Sequence, residues 1–241
     1  MDQSPLEIAV PNWKHLYTIG GMAALLQLAS ILAYTSVMMA LGPKPTSAAE
    51  YFALQQTDRL ASILRGDFLF LFLLGAYLGT FPALYFALRR ISPVATLLAT
   101  LFTLMAVTIC FASESTFALF HLGEQYAAAV SEAQRTQFLA AGEAVIAADM
   151  WNSSGAYMSG ILLQGGGVII SLVMLRSRDF SKVTALAGLL GNALDLIQHL
   201  LHPLMPSLSA TIQMAMGPFY LVWFPMLARD LFRLGRNKSK G

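Results

Sequence analysis

The chain has 241 residues, of which 56% are hydrophobic and only 12% charged, and its mean hydropathy is +0.62. A soluble domain carries about twice that share of charged residues, so the composition excludes a soluble protein and predicts a polytopic membrane protein. The single cysteine, Cys110, excludes an intramolecular disulfide, and the formal net charge of +2 is informative only once it is divided between the two membrane sides.

Six apolar segments are each long enough to cross the roughly 30 Å hydrocarbon core, which takes about 20 helical residues. Two polar segments between them carry capping-box patterns, Ser47 with Glu50 and Ser131 with Gln134, each of which predicts a short helix. The predicted fold is therefore all-α, one membrane domain over 1–241 with a bundle of six transmembrane helices and two short helices on the outer side. The predicted spans are about 16–41, 68–88, 94–113, 153–175, 183–202 and 210–228, followed by a basic cytoplasmic tail at 229–241.

The basic residues predict the orientation of the bundle. Eleven of the 15 Lys and Arg residues fall on the side that carries both termini. The positive-inside rule then puts both termini in the cytoplasm of a cell with the protein in its inner membrane. Membrane lipids are the expected partners, because a basic tail contacts anionic headgroups. A homo-oligomer or a partner in a membrane complex is a further interpretation, and no nucleic-acid partner is expected.

One apolar helix carries three ionisable side chains on one side. Asp195, His199 and His202 lie at positions i, i+4 and i+7, so they project from the same helical face. Ionisable groups at membrane depth are costly, and they usually face a packed interior or a wet cavity. This face is therefore the predicted centre of function.

Other polar residues are predicted at the same depth. With both termini inside, Glu114 and His121 lie at the outer end of the third span, and Asp149, Trp151 and Asn152 lie at the outer end of the fourth. The sequence thus predicts an outward-facing polar pocket. Its predicted ligand-binding residues are Glu114, Asp149, Trp151, Asn152 and Asp195.

Three interpretations of the histidines stay open. In the first, His121, His199 and His202 bind zinc or another divalent transition metal, for which imidazole and carboxylate are suitable ligands. In the second, Asp195 only orients His199 by a hydrogen bond inside the bundle, and the other two histidines are interfacial. In the third, the same face lines a haem, quinone or lipid pocket.

Three segments carry a resemblance to a known family: LRGDFLFLFLLGAYLGTFPALYFALRR, LLGNALDLIQHLLHPLMP and GPFYLVWFPMLARDLFR. Together they resemble the prokaryotic multi-pass membrane family of the domain of unknown function numbered 4386, over about 16–233. The resemblance implies a small helical bundle. It implies no activity, because none is established for the family.

A second resemblance is to the alkaline-ceramidase and progestin-receptor superfamily of intramembrane zinc hydrolases, which use a serine, an aspartate and three histidines. Ser115, Asp195 and the three histidines supply those residue types, with Ser115 and Asp195 as the catalytic candidates. The chain departs from that pattern in having H-x-x-H instead of H-x-x-x-H and six predicted spans instead of seven.

Three functions follow as hypotheses. The first is a membrane protein whose outer polar pocket binds a small ligand, lipid or partner. The second is a zinc-dependent intramembrane hydrolase that acts on a lipid amide or ester, with zinc-bound water as the nucleophile. The third is a structural subunit of a membrane complex, which needs neither metal nor pocket.

Overall fold

Ten α-helices make up residues 13–237, the part of the chain that the structure, a computed structural model, describes. No strand occurs in these residues, so the predicted all-α class is confirmed. The helices are α1 Lys14–Leu41, α2 Ala48–Thr57, α3 Arg59–Leu64, α4 Phe68–Leu88, α5 Pro93–Ala112, α6 Thr116–Ala128, α7 Glu132–Ala147, α8 Ser154–Leu175, α9 Lys182–Leu201 and α10 Pro206–Asn237.

The long helices have the character of membrane spans. Large apolar side chains such as Met22, Val94 and Leu186 are exposed on their outer faces, as expected where lipid is the solvent. Between residues 13 and 237, five segments are long and apolar enough to cross a membrane: Lys14–Leu41, Arg59–Leu88, Pro93–Ala128, Ser154–Leu175 and Lys182–Leu201. The protein is therefore a membrane helical bundle.

The sixth predicted span differs from the other five. It forms the middle of α10, which continues on both sides of 210–228 and includes most of the predicted tail. This helix is not among the five candidate spans, because Gln213, Gly217 and two internal prolines lower its hydropathy. The end of the predicted tail, 238–241, lies outside the described residues.

The six long helices pack as a closed ring in the order α1, α4, α5, α8, α9, α10 and back to α1. Neighbouring helices run antiparallel. Near the start of α1, Gly20 lies against Ala83, late in α4, whereas towards the end of α1 the ring of Tyr34 contacts Phe70, early in α4. The main hydrophobic core lies between the helices of this ring.

Small residues in α8 allow its close contact with α5. A methyl group added at Gly166 would lie 2.8 Å from the Ala99 carbonyl oxygen and 2.7 Å from Thr103 Oγ1. Gly165, one residue earlier, has no neighbour within 4 Å of such a methyl group. The face of α8 towards α5 therefore needs glycine, and the adjacent face does not.

A second, smaller core lies at the end of the ring where α1 ends and α4 begins. Its buried members come from α2 and α6, namely Ala48, Tyr51, Phe52 and Leu119. We refer to α2, α3, α6 and α7 together as the cap. Helices α3 and α6 were not predicted as separate elements: α3 was included in one short polar helix with α2, and α6 follows a short break after the apolar helix α5.

Both capping boxes form as predicted. Ser47 Oγ accepts a hydrogen bond from the Glu50 N–H, and Glu50 Oε2 accepts one from the Thr46 N–H. Ser131 and Gln134 make the equivalent pair at the start of α7. These side chains satisfy donors that the first turn of a helix leaves free, which is why the two cap helices begin where they do.

Candidate functional site

Asp195 lies inside the ring, on α9, and is only 6% exposed. Its Oδ2 accepts a hydrogen bond from the Tyr220 hydroxyl of α10 at 2.9 Å. The same hydroxyl lies 3.1 Å from Gln164 Oε1 of α8. A phenol has one proton to donate, and an ionised carboxylate is a stronger acceptor than an amide. Tyr220 therefore connects three helices at the Asp195 carboxylate.

His199 contacts the other oxygen of the Asp195 carboxylate. Its Nδ1 lies 3.1 Å from Asp195 Oδ1 and 3.0 Å from the Asp195 carbonyl oxygen. The imidazole ring occupies the space beside Gly160 on α8, where any added methyl group would overlap it. The local spacing of one helical turn thus pairs Asp195 with His199, and a glycine of the neighbouring helix leaves room for the ring.

Asp195 faces a cavity of about 290 Å³. The cavity walls come from α1, α4, α8, α9 and α10, so it lies at the centre of the ring. Small-molecule sites in proteins are concave, mainly apolar, and have a few polar groups that orient the ligand. This cavity has that character. Its aromatic lining residues are Tyr34, Phe70, Tyr77, Tyr220 and Phe224, and its polar ones include Ser30, Thr35, Gln164 and Gln213.

A second buried polar group lies next to the cap. Lys44, in the connection between α1 and α2, places Nζ 2.5 Å from Asp67 Oδ2 and 3.2 Å from Asp149 Oδ2. The two carboxylates are 1% exposed at their side chains, whereas Lys44 is 22% exposed. We call these three residues the Lys44 cluster. It joins the end of α1, the start of α4 and the connection from α7 to α8.

Asp149 also organises the chain that follows it. Its Oδ1 accepts hydrogen bonds from the backbone N–H groups of Trp151 and Asn152 at 2.8 and 3.0 Å. The ring of Trp151 lies 5.2 Å from Phe70, which lines the cavity. The Lys44 cluster is therefore linked to the cavity through an aromatic contact, and Asp149 itself does not line the cavity.

The cap side of the cluster is electrostatically negative. Burial raises the pKa of the Tyr51 phenol, and the nearby carboxylates of Asp67 and Asp149 raise it further. A phenol with a raised pKa remains neutral, so Tyr51 adds no charge to the cluster. Asp67 Oδ1 is buried and has no hydrogen-bond partner within residues 13–237.

Glu114 and Ser115 have local roles at the break between α5 and α6. Glu114 Oε1 accepts a hydrogen bond from the Thr116 N–H at 2.8 Å, which satisfies a free donor in the first turn of α6. Ser115 is buried and precedes that helix without a side-chain cap. Neither residue is among those that line the central cavity.

The structure does not bring the three histidines together. His121 on α6 and His202 after α9 have exposed side chains, whereas His199 lies against Asp195. No group of three or more His, Cys, Asp or Glu residues in the described range could share a metal ion. Their predicted similar depth does not produce convergence, because α6 presents His121 outward. The Asp195–His199 contact is the part of the prediction that the structure contains.

The sequence analysis did not single out Lys44, Asp67 or Tyr220 as members of a site. Lys44 is the only charged residue between His15 and Glu50, and this isolation could have marked it as a candidate. Gln164 precedes three glycines in an apolar helix, so its isolated polar side chain could have been identified in the same way. Tyr220 had no such signal, since a tyrosine between Phe219 and Leu221 fits either a core or an interface.

Comparison with known proteins gives one match. The model of a family described as "Domain of unknown function (DUF4386)" matches residues 18–229. No curated protein matches the chain, and no solved structure does. The match covers α2 to α9 completely and most of α1 and α10, so it includes all or most of each of the six ring helices.

Proposed function

Since the chain belongs to the DUF4386 family, whose description assigns no activity, we propose a function from its own side chains. The protein binds a small amphipathic organic molecule in the central cavity of its membrane bundle. The observation that carries this proposal is the buried Asp195 carboxylate at the wall of a cavity of about 290 Å³. A buried charge is retained in a membrane bundle at a high energetic cost, which is typical of a functional site.

The lining supports a ligand that has both an apolar body and a polar end. Aromatic and aliphatic side chains make up most of the wall, and they would bury an apolar body. Asp195, Gln164 and Tyr220 are close enough together to orient one polar group. The cavity has room for the volume of roughly ten water molecules at about 30 Å³ each, which sets the size of the ligand.

We further propose that α10 is a sixth membrane span and that both termini are cytoplasmic. The positive-inside bias supports this orientation. The cavity is lined by the second half of α1 and the first half of α4, so this topology puts it in the outer leaflet of the inner membrane, open to ligands from outside. The cap would then lie on the outer side.

Two engineered cysteines test that topology in a Cys110→Ala background. Ser131→Cys should be labelled by a membrane-impermeant maleimide added to intact cells, whereas Ser239→Cys should be labelled only after lysis. Labelling of Ser239→Cys in sealed cells would reverse the orientation and would place the cavity towards the cytoplasm.

The hydrolase and structural-subunit hypotheses require different features of the protein. A zinc hydrolase needs metal ligands that converge, and residues 13–237 contain no group that could supply three of them. A structural subunit needs no ligand. Elemental analysis of the purified protein separates the hydrolase from the binding function: about one zinc per chain, lost in His199→Ala, would favour the hydrolase.

Binding is tested with three aromatic probes of matched size and different charge: benzyltrimethylammonium, its uncharged carbon isostere neopentylbenzene, and phenylmethanesulfonate. Equilibrium dialysis against the protein in nanodiscs, with empty nanodiscs as the blank, should give saturable binding of at least one probe at one site per chain. The proposal fails if none of the three probes saturates.

Two cavity-filling variants locate the binding site. Gly217 lines the cavity and has open space beside it, so Gly217→Leu should block binding, and Ser30→Phe should do so from the neighbouring helix α1. Gly165→Leu is the matched control, because Gly165 also has open space but does not line the cavity. Equal loss in the control would place binding outside the cavity.

A further inference from the structure

Four aspartates are buried within residues 13–237, and three of them pair with a lysine or an arginine, whereas Asp195 pairs with a histidine. Asp67 and Asp149 share Lys44. Asp230 is fully buried and lies 3.2 Å from the Arg233 guanidinium. Buried charges in proteins are usually paired in this way. The fourth aspartate, Asp195, therefore differs from the rest.

Asp195 has hydrogen-bond donors around it, and no Lys or Arg among the described residues pairs with it. Tyr220 donates a hydroxyl, and a neutral imidazole of His199 is sufficient to donate from Nδ1. Both contacts stabilise the carboxylate, and neither partner is a permanently charged Lys or Arg side chain. Each carboxylate oxygen can accept a further hydrogen bond, so the group keeps capacity for a ligand.

The wall around this charge is suited to a cation. Asp195 is the only acidic residue among those lining the cavity, and no Lys, Arg or His lines it. Five aromatic rings contribute to the same wall, among them Tyr77 and Phe224. The faces of aromatic rings are electronegative and attract organic cations, and rings around an ammonium group are a known means of recognition.

We propose that the cavity takes an organic cation, a quaternary ammonium or protonated amine attached to an apolar body. The ammonium group pairs with the Asp195 carboxylate, and the aromatic rings enclose the apolar body. This inference rests on the proposed binding function and adds the charge class of the ligand. An anion is disfavoured by the same carboxylate, and a neutral molecule would bring no positive charge to it.

The three-probe panel tests the charge class directly, because benzyltrimethylammonium and neopentylbenzene have the same shape and differ in charge. In the wild type the ammonium probe should bind at least about tenfold more tightly than the neutral isostere, as expected for a desolvated ion pair with aromatic contacts. The sulfonate should bind most weakly. Asp195→Asn should reduce the preference for the cation to less than about threefold while the neutral probe still binds.

The controls separate the possible failures. Glu132→Gln removes an exposed acid from α7 and should leave the preference unchanged, which excludes an effect of net charge. If all three probes fail to saturate, the binding function itself is wrong. If the neutral isostere or the sulfonate binds as tightly as the ammonium probe, the binding function stands and the cation inference is overturned. If Asp195→Asn does not fold, two other results decide the inference. These are the ratio of the affinities for the ammonium probe and the neutral isostere in the wild type, and the loss of ammonium binding in Gly217→Leu.

Discussion

The Lys44 cluster and the Asp195 site both bury carboxylates in the same bundle, but they stabilise them differently. In the cluster, one ammonium group bridges Asp67 and Asp149 and so joins three connections of the chain. At the cavity, Asp195 is held by Tyr220 and His199, which can both remain neutral. The first arrangement pairs the carboxylates with a lysine ammonium group, whereas the second supplies hydrogen bonds from a phenol and an imidazole.

This difference separates a structural role from a binding role. Removing one member of a buried ion pair leaves an uncompensated charge, so such pairs are strongly destabilised by single substitutions. A carboxylate with neutral donors loses at most hydrogen bonds when it is replaced by an amide. We therefore expect stability to depend most on Lys44 and ligand binding to depend most on Asp195.

Lys44→Ala should give the largest loss of stability. It leaves two buried carboxylates without their cation, and the expected cost is about 3 kcal/mol, at the lower end for buried pairs because Lys44 is 22% exposed. Reversible unfolding in mixed micelles measures this. Arg135→Ala is the control, since its ion pair with Glu132 is exposed and should contribute less than about 0.5 kcal/mol. Equal stability of the two variants would show that the cluster is not an ion-paired joint.

Gly160→Ala tests what holds His199 against Asp195. The added methyl group overlaps the imidazole ring, so the ring must move away from the carboxylate. Overpacking of this kind typically costs about 1–3 kcal/mol, and we expect a value in that range from the same unfolding measurement. Gly165→Ala, with open space at that position, should be neutral or slightly stabilising, because alanine favours the helix. Similar values for both variants would mean that the ring is not confined by α8.

Asp195→Asn should change the free energy of unfolding by less than about 1.5 kcal/mol, the scale of one or two hydrogen bonds. No Lys or Arg is left without a partner by this change. The melting temperature should stay near that of the wild type while cation binding is lost. A destabilisation as large as that of Lys44→Ala would contradict the comparison, since it would make Asp195 half of a structural ion pair with a protonated His199.

Glu50 is a carboxylate of a third kind, because it is exposed on the cap. Its substitution should have the smallest effect on stability. Hydrogen bonds from the Thr46 N–H and hydroxyl lower the pKa of Glu50 below its ordinary value. A group with a lowered pKa in the folded state stabilises the fold above its unfolded pKa, and that contribution is lost as the pH falls through the folded pKa. Glu50→Gln should therefore differ slightly from the wild type at neutral pH and should converge with it in acid. A constant difference across that pH range would show that the cap does not depend on the ionised side chain.

Local features of this chain could be predicted from the sequence. Helix ends at Ser47 and Ser131 follow from capping boxes, because the donor and acceptor lie within one turn of each other. The Asp195–His199 contact follows from the same kind of spacing. The apolar segments can be identified from the sequence because lipid-facing and buried positions in a membrane helix are both hydrophobic.

The contacts between helices could not be predicted in the same way. Lys44 and Asp149 are 105 residues apart and meet because α2, which follows Lys44, packs against α7, which precedes Asp149. His121 is exposed because of the rotation of α6 about its axis, which apolar periodicity does not define. The sequence around Tyr220 does not distinguish it from a lipid-facing tyrosine. Only the position of α9 beside it shows that it is buried.

The closed ring has a consequence for the order in which the bundle can assemble. Helix α1 packs against α4 and against α10, the last helix of the described residues, and Gly21 faces Phe232 across that second contact. Contacts between residues so distant in the chain form late, because the entropy of a long loop must be overcome first. Until α10 packs onto the bundle, the other five helices form an open arc, and Asp195 lacks the hydroxyl of Tyr220. We therefore expect the cavity to be completed in the closing step of folding, so a chain stopped before α10 should insert its earlier helices and still lack the cavity.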